Sequence, residues 1–290
     1  MRRSKEMEGD GELSESHARD LGLNDTEQNQ VKERARAKAV VIHEVVRIEG
    51  EKELRRPVSA LAWSGLSAGL SMGFSLVGQG LIRACLPDEP WRPLLTSFGY
   101  SVGFLIVILG RQQLFTENTL TVILPLLQRR TVTTLMRVLR LWAVVLVTNL
   151  LGALLFAWFV GHTDIFTPEV RRAFTEIGLK AMEGGFWTLL GRGIFAGWLI
   201  ALMVWLLPSA ESSQVAIIII ITFVVGLGDF AHIIAGSVEV LYVITTGAAS
   251  WGEYFGGYML PTLLGNIFGG VSLVAALNYG QVAPATSRNT

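Results

Sequence analysis

Val215-Ala-Ile-Ile-Ile-Ile-Ile-Thr-Phe-Val-Val-Gly226-Leu-Gly-Asp-Phe-Ala-His232-Ile-Ile-Ala-Gly-Ser-Val-Glu239-Val-Leu-Tyr-Val-Ile-Thr-Thr246 starts as membrane material and then stops being so. Its first eleven residues carry no charge. The next fourteen, Gly226 to Glu239, hold Asp229, His232, Glu239 and the glycines at 226, 228 and 236 where the middle of a span should lie. After them the chain is apolar again. Non-helical backbone is tolerated at membrane depth only where it is buried in protein or lines a cavity. An ionisable group there costs at least ~2.5–3.5 kcal/mol and marks a pathway by default. His232 is therefore read as the centre of the molecule.

A second run has the same interruption. Between about Leu94 and Gln128, the apolar stretch Val102–Leu109 gives way to Gly110-Arg-Gln-Gln-Leu-Phe-Thr-Glu-Asn118 and resumes at Thr119. Four further runs are whole: Pro57 to about Ile82, Leu141–Val160, Phe186–Leu207 and Tyr258–Tyr279. The sequence thus predicts an all-α polytopic membrane protein with six transmembrane helices, two of them broken. Each half reads whole, broken, whole. An odd number of spans per half sets the halves in opposite orientation, an inverted 3+3 repeat whose paired interruptions point to the binding site. The site is expected between Gln112–Asn118 and Asp229–Glu239. Gly65, Gly69 and Gly73, and later Gly193 with Gly197 and Gly265 with Gly269, recur every four residues, as closely packed membrane helices require.

The chain is 51% hydrophobic with mean hydropathy +0.46 and zero formal net charge, although Lys and Arg crowd into its first fifth. The expected organisation is a disordered cytoplasmic tail (1–24), an amphipathic cytoplasmic helix (25–56), a six-span pore domain (57–280) and a C-terminal tail (281–290). Thr167 and Pro168 predict the start of a short interfacial helix. Seventeen of the 24 Lys and Arg fall on the segments that hold both termini and five on the opposite loops. The positive-inside rule then puts both termini in the cytoplasm of a cell (inner) membrane protein. Met1-Arg-Arg-Ser-Lys-Glu leads into polar sequence, unlike a cleavable signal peptide. The single cysteine, Cys85, excludes disulfides within the chain and cysteine-based metal sites.

Half-helices that begin at mid-membrane present unpaired N–H groups and the positive end of a dipole. Thr116 and Ser237 are the expected caps of the two half-helices. Two positive ends facing one cavity favour a small anion. Leu114 and Phe115 are candidates for an apolar constriction, with Phe74 a weaker one. A histidine of ordinary pKa, near ~6.5, can lend a proton to a weak-acid anion at such a slit, so His232 is the candidate proton relay or gate, with Thr116 orienting its ring. Arg111 and Glu117 are expected to pair across the first break. Asp229 and Glu239 are expected to pair with Arg111 or Arg192, or to cap backbone groups; unpaired, they oppose anion entry. Asn118 completes the polar set of the first break, and Lys180 and Glu183 stand at the outer mouth.

At these residues the chain resembles the formate/nitrite transporter family. Leu114-Phe115-Thr116 is similar to its first-break signature. Ala231-His232-Ile-Ile-Ala-Gly236 resembles the stretch around its central histidine, and Arg192-Gly193-Ile194 with Trp198-Leu199 its fourth-span signature. Arg111-Gln-Gln-Leu-Phe-Thr-Glu-Asn-Thr and the closing Gly-Ser-Val-Glu look most like its YfdC-like branch. The resemblance implies an aquaporin-like inverted repeat, a homopentamer with one pore per protomer, and a threonine beside the histidine. Where the family often has an acid before the histidine, this chain has Ala231. Two family asparagines are replaced by Gly236 and Gly197, and Lys180 is the nearest counterpart of a family lysine.

The expected function is a channel or proton-coupled transporter for small monovalent anions such as formate or nitrite, in contact with lipid. Two alternatives stand beside it: the same pore for a neutral small solute or a cation, and a membrane scaffold or sensor acting through the N-terminal helix. The sequence offers no metal-ligand cluster, nucleotide loop or nucleophile–base set, so no enzyme, cofactor or nucleic-acid partner is expected.

Overall fold

The computed structural model describes Asn24 and residues 39–277, and the regular elements among them are all helical. Apart from Asn24, the predicted N-terminal tail (1–24) lies outside the described residues. So do the first half of the predicted amphipathic helix and the C-terminal tail (281–290). Helix α1 (Ala39–Arg55) precedes α2 (Val58–Cys85) and α3 (Arg92–Leu109). Two short pieces follow, α4 (Asn118–Thr121) and α5 (Ile123–Arg129), then α6 (Val132–Gly161), α7 (Pro168–Ala181) and α8 (Phe186–Leu206). Next come α9 (Gln214–Leu227) and α10 (Ala235–Thr245), and then α11 (Leu260–Leu277), entered through wide π-type turns at Glu253–Met259. Five helices are long and apolar enough to cross a bilayer, namely Val58–Cys85, Arg92–Leu109, Val132–Gly161, Phe186–Ser209 and Glu253–Val274. The helices α9 and α10 are apolar but too short.

Local sequence accounts for most boundaries. Pro57, at φ −59°, precedes α2. The hydroxyl of Thr131 accepts the Thr134 N–H at 3.2 Å, so α6 begins at Val132 and not near Leu141 as hydropathy alone predicts. The stretch from Val132 to Arg140, which the hydropathy leaves between two spans, is thus two turns of capped helix. Arg140 on those turns donates to the carbonyls of Leu54 (3.0 Å) and Arg56 (3.4 Å), which satisfies groups left open where α1 ends.

Between apolar helices in a bilayer there is no hydrophobic drive to associate, so packing depends on close backbone approach. The glycine rows supply it. Helix α2 lies on α6 and α8 on α11 so closely that a Cβ at Gly152 would come 2.5 Å from the Leu66 carbonyl oxygen, and one at Gly265 2.5 Å from that of Leu190. Large apolar side chains face outward instead: Trp63, Trp187, Phe195 and Phe268 are all more than 60% exposed, an apolar exterior suited to lipid or to another protomer.

Helix α7 begins at Pro168, where Thr167 and Pro168 predict a helix start, and one of its faces packs into the body. Its Phe174 is fully buried, edge-to-face with Tyr242 of α10 and against Gly80 of α2. At the opposite end of α2, α1 buries Val46 and Leu54 and joins α5 through Arg129 and Glu51 (2.8 Å).

Candidate functional site

The two interrupted segments are built alike. Helix α3 stops at Leu109 and α9 at Leu227, each followed by a glycine and then by a residue in the left-handed region, Arg111 (φ 51°) and Asp229 (φ 50°). In each case the next N–H reaches back to a carbonyl five residues earlier, Gln112 to Val107 and Phe230 to Val225, both at 3.0 Å. This is a Schellman stop. Helical backbone resumes at Asn118 and at Ala235.

One asparagine holds each non-helical stretch. The Asn149 side chain, on α6, accepts the Phe115 N–H (2.9 Å) and donates to the carbonyls of Gln113 (2.9 Å) and Gly65 (2.8 Å). Asn266, on α11, accepts the Ile233 N–H (2.9 Å) and donates to the carbonyls of Ala231 (2.8 Å) and Gly193 (2.9 Å). Both are fully buried. Each thereby ties the stretch between two helices to a glycine on the neighbouring span, and satisfies backbone groups that have no ladder partner.

These ties bring His232 to Thr116. Nε2 of the buried imidazole is 2.8 Å from Thr116 Oγ1. Nδ1 accepts the backbone N–H groups of Ile234 (3.2 Å) and Ala235 (3.1 Å). An atom that accepts two N–H groups carries no hydrogen, so the ring is neutral and its Nε2–H donates to Thr116. His232 thus caps the start of α10. The hydroxyl of Tyr258 donates to the His232 carbonyl at 3.0 Å, and Phe104 stands edge-on to the imidazole, ring centres 5.0 Å apart.

Above the histidine opens a cavity of about 80 Å³, room for several waters or one small ion. Lys180, Asp229 and Arg83 line it, with Gln79, Ser97 and Glu239 among its other lining residues; Tyr100, His232 and Tyr258 also border it. Lys180 pairs with Asp229 at 2.8 Å and Arg83 with Glu176 at 2.8 Å. Glu239 Oε1 accepts from the Gln79 side-chain amide at 2.7 Å.

Several predicted partnerships are corrected by these contacts. Thr116 does not cap α4, because its hydroxyl is taken by His232; Ser237 does not cap α10, because its hydroxyl donates to the Ile233 carbonyl and accepts from Tyr254. Arg111 does not pair with Glu117 but with Glu49 of α1 (3.1 Å), and Glu117 Oε1 is buried with no hydrogen-bond partner. Asp229 and Glu239 meet neither Arg111 nor Arg192. Arg192 donates to the Glu183 carbonyl at 2.9 Å, and the Glu183 side chain is exposed. Asn118 is buried and donates to Gln113 Oε1 and the Leu114 carbonyl, both at 3.1 Å. Leu114 and Phe115 are buried beside Thr116, with Phe115 edge-to-face on Trp142. Phe74 is 45% exposed, packs on Phe156 and does not line the cavity, because it lies on the outward face of α2.

Sequence reasoning missed Asn149, Asn266, Tyr100, Tyr258 and Gln79. An asparagine at a matching place, nine residues into the third and the last predicted span, was the available signal. Gly197 and Gly236 have no room for a side chain in this packing. A Cβ on the first would strike the Asn266 backbone, and one on the second the Tyr258 hydroxyl.

The chain belongs to the formate/nitrite transporter family, whose model matches residues 40–280. It is 40% identical over 279 residues to the inner membrane protein YfdC of Escherichia coli (strain K12), covering 94% of this chain and 90% of that one. It is 28% identical to the formate channel BtFdhC of Bacillus thuringiensis, with 80% and 91% covered. The solved structure of a pentameric formate channel with formate bound has the same fold: TM-score 0.64, 21% identity, 80% of this chain and 97% of that one covered.

Proposed function

We propose that this chain is a membrane pore for small monovalent anions of the formate and nitrite type, centred on His232 and Thr116. It is a transport protein and not an enzyme. The observation that carries the proposal is the 2.8 Å contact between these two side chains, one from each interrupted segment, at a polar cavity inside an apolar helical body. Family membership supports the anion class. The six-span, inverted-repeat reading is supported by the matched stops at Arg111 and Asp229 and by the matched clamps of Asn149 and Asn266. On that reading α3 with α4–α5, and α9 with α10, are broken spans. The charge distribution supports both termini on the cytoplasmic side, and the YfdC relative an inner-membrane location. The outward apolar side chains and the pentameric formate channel of the same fold support a homopentamer with one pore in each protomer.

In this pore Lys180 draws the anion into the cavity and the Nε2 edge of His232 meets it at the floor. A bare anion gains little beyond that point, because Leu114, Phe115 and Phe104 are apolar. His232 acts as the gate: its Nε2–H must leave Thr116 to donate to a passing solute, and it recloses afterwards. A second proton on the ring would require α10 to give up its cap at Nδ1. Purified protein in liposomes is expected to admit formate and nitrite faster than formamide, a neutral solute of similar size. Equal permeation of all three, or none above protein-free liposomes, would refute the proposal.

A further inference from the structure

The cavity holds an acid whose place in the transport account is unassigned. Glu239 is 7% exposed on the first turns of α10, and its chain neighbours pack tightly: a Cβ at Gly178 of α7 would come 2.8 Å from Val243. Of the charged side chains lining the cavity, Arg83 is paired with Glu176 and Lys180 with Asp229. Glu239 has no cation. Its hydrogen-bond partner is the neutral amide of Gln79. The remaining titratable neighbours are the phenols Tyr100, Tyr254 and Tyr258 and the neutral His232. As a carboxylate, Glu239 would leave one uncompensated negative charge beside the anion path, which desolvation makes costly. As a carboxylic acid it leaves none.

We infer that Glu239 is a specificity-determining residue of this pore: its carboxyl group hands a proton to the incoming weak-acid anion above His232. The proposal rests on the anion-pore function argued above. In the step, the Glu239 O–H bond breaks and an O–H bond forms on the solute oxygen. The solute becomes the neutral acid and Glu239 a carboxylate, which takes its next proton from water in the cavity mouth. Gln79 holds Oε1 by an N–H donor, which leaves the other carboxyl oxygen for the transferred hydrogen. The neutral acid then crosses the apolar stretch past His232 without the cost of a bare charge. The anion of a strong acid cannot take the proton and still meets the acid wall, so the carboxyl also selects. The substrate class is thus narrowed to weak acids.

The test compares wild type, Glu239→Gln and Glu239→Asp in liposomes, with formate and nitrate as probes and a trapped pH dye. Glutamine is isosteric and keeps an oxygen for the Gln79 amide, so folding is preserved. The wild type is expected to prefer formate to nitrate, with internal acidification that follows formate entry. In Glu239→Gln the formate-to-nitrate ratio should fall about tenfold and the acceleration of formate entry at lower outside pH should flatten. Glu239→Asp should retain both, because it retains the acid. A Glu239→Gln variant with the wild-type ratio and pH profile would overturn the role of Glu239 and leave the pore intact. A wild type that passes neither ion would instead overturn the anion-pore function and this role with it.

Discussion

Replacing Asn149 by leucine removes a side chain of similar volume and three hydrogen bonds. The Gly65 carbonyl lies inside α2 and is served by the helix. The Phe115 N–H and the Gln113 carbonyl lie outside any helix and are held by Asn149. Two buried backbone groups left open cost about 1–3 kcal/mol each, hence about 2–6 kcal/mol together. Polar contacts between membrane helices average only ~0.6 kcal/mol when measured, which for three bonds sets a floor near ~2 kcal/mol. For a body of this size each kcal/mol moves Tm by about 2–4 °C, so Asn149→Leu should lower Tm in detergent by about 5–20 °C. Asn266→Leu opens the matching groups, Ile233 N–H and Ala231 carbonyl, and should cost the same within a factor of about two. The two sites share no partner, so the double variant should be additive. Shifts of under about 2 °C for both single variants would refute the reasoning, because the backbone of the interrupted segments would then be satisfied without the clamps.

Three further outcomes follow from the same contacts. Gly236→Ala should destabilise the protein by pushing a methyl group into the Tyr258 hydroxyl, and Tyr258→Phe in the same chain should restore part of the loss; thermal melts of the two single variants and the double one test this. Thr116→Val removes the acceptor of the His232 Nε2–H, about 1–3 kcal/mol for one open buried group, and should raise formate flux, since that N–H no longer has a partner to leave, while hydrogen exchange at α10 stays low because the cap at Nδ1 is untouched. The hydrogen bond from Arg129 holds the Glu51 carboxyl below its ordinary 4.5. A lowered carboxylate pKa stabilises the docked α1 above the ordinary value and loses that contribution as pH falls through the lowered one. Hydrogen exchange over 39–55 should therefore rise in acid below about pH 4, and Glu51→Gln should exchange fast at neutral pH already.

The interruptions were legible because polar and ionisable residues in an apolar run leave few alternatives. His232 and Thr116 stood out for the same reason, and the glycine rows marked which helices meet. The partners of the charges were not legible. Asp229 finds Lys180 and Arg111 finds Glu49, each about fifty or more positions away along the chain, and proximity in sequence had favoured Glu117 instead. The caps were misread because a hydroxyl in the right register has other places to go: Thr116 serves His232, and at α10 the imidazole does the capping. The early start of α6 escaped notice because hydropathy reports where a helix meets lipid, whereas Thr131 decides where it begins. Phe74, a candidate for the constriction, lies one residue beyond Gly73 of the glycine face of α2, and that face contacts α6.

The most direct test of the account is formate uptake into liposomes by wild type and by His232→Asn, each at outside about pH 5 and about pH 7.5. The account predicts wild-type uptake that is faster at the lower pH, and a variant slowed by about tenfold, equivalent to ~1.4 kcal/mol on the barrier. A wild-type protein that passes no formate at either pH would contradict it, as would a His232→Asn variant with the wild-type rate.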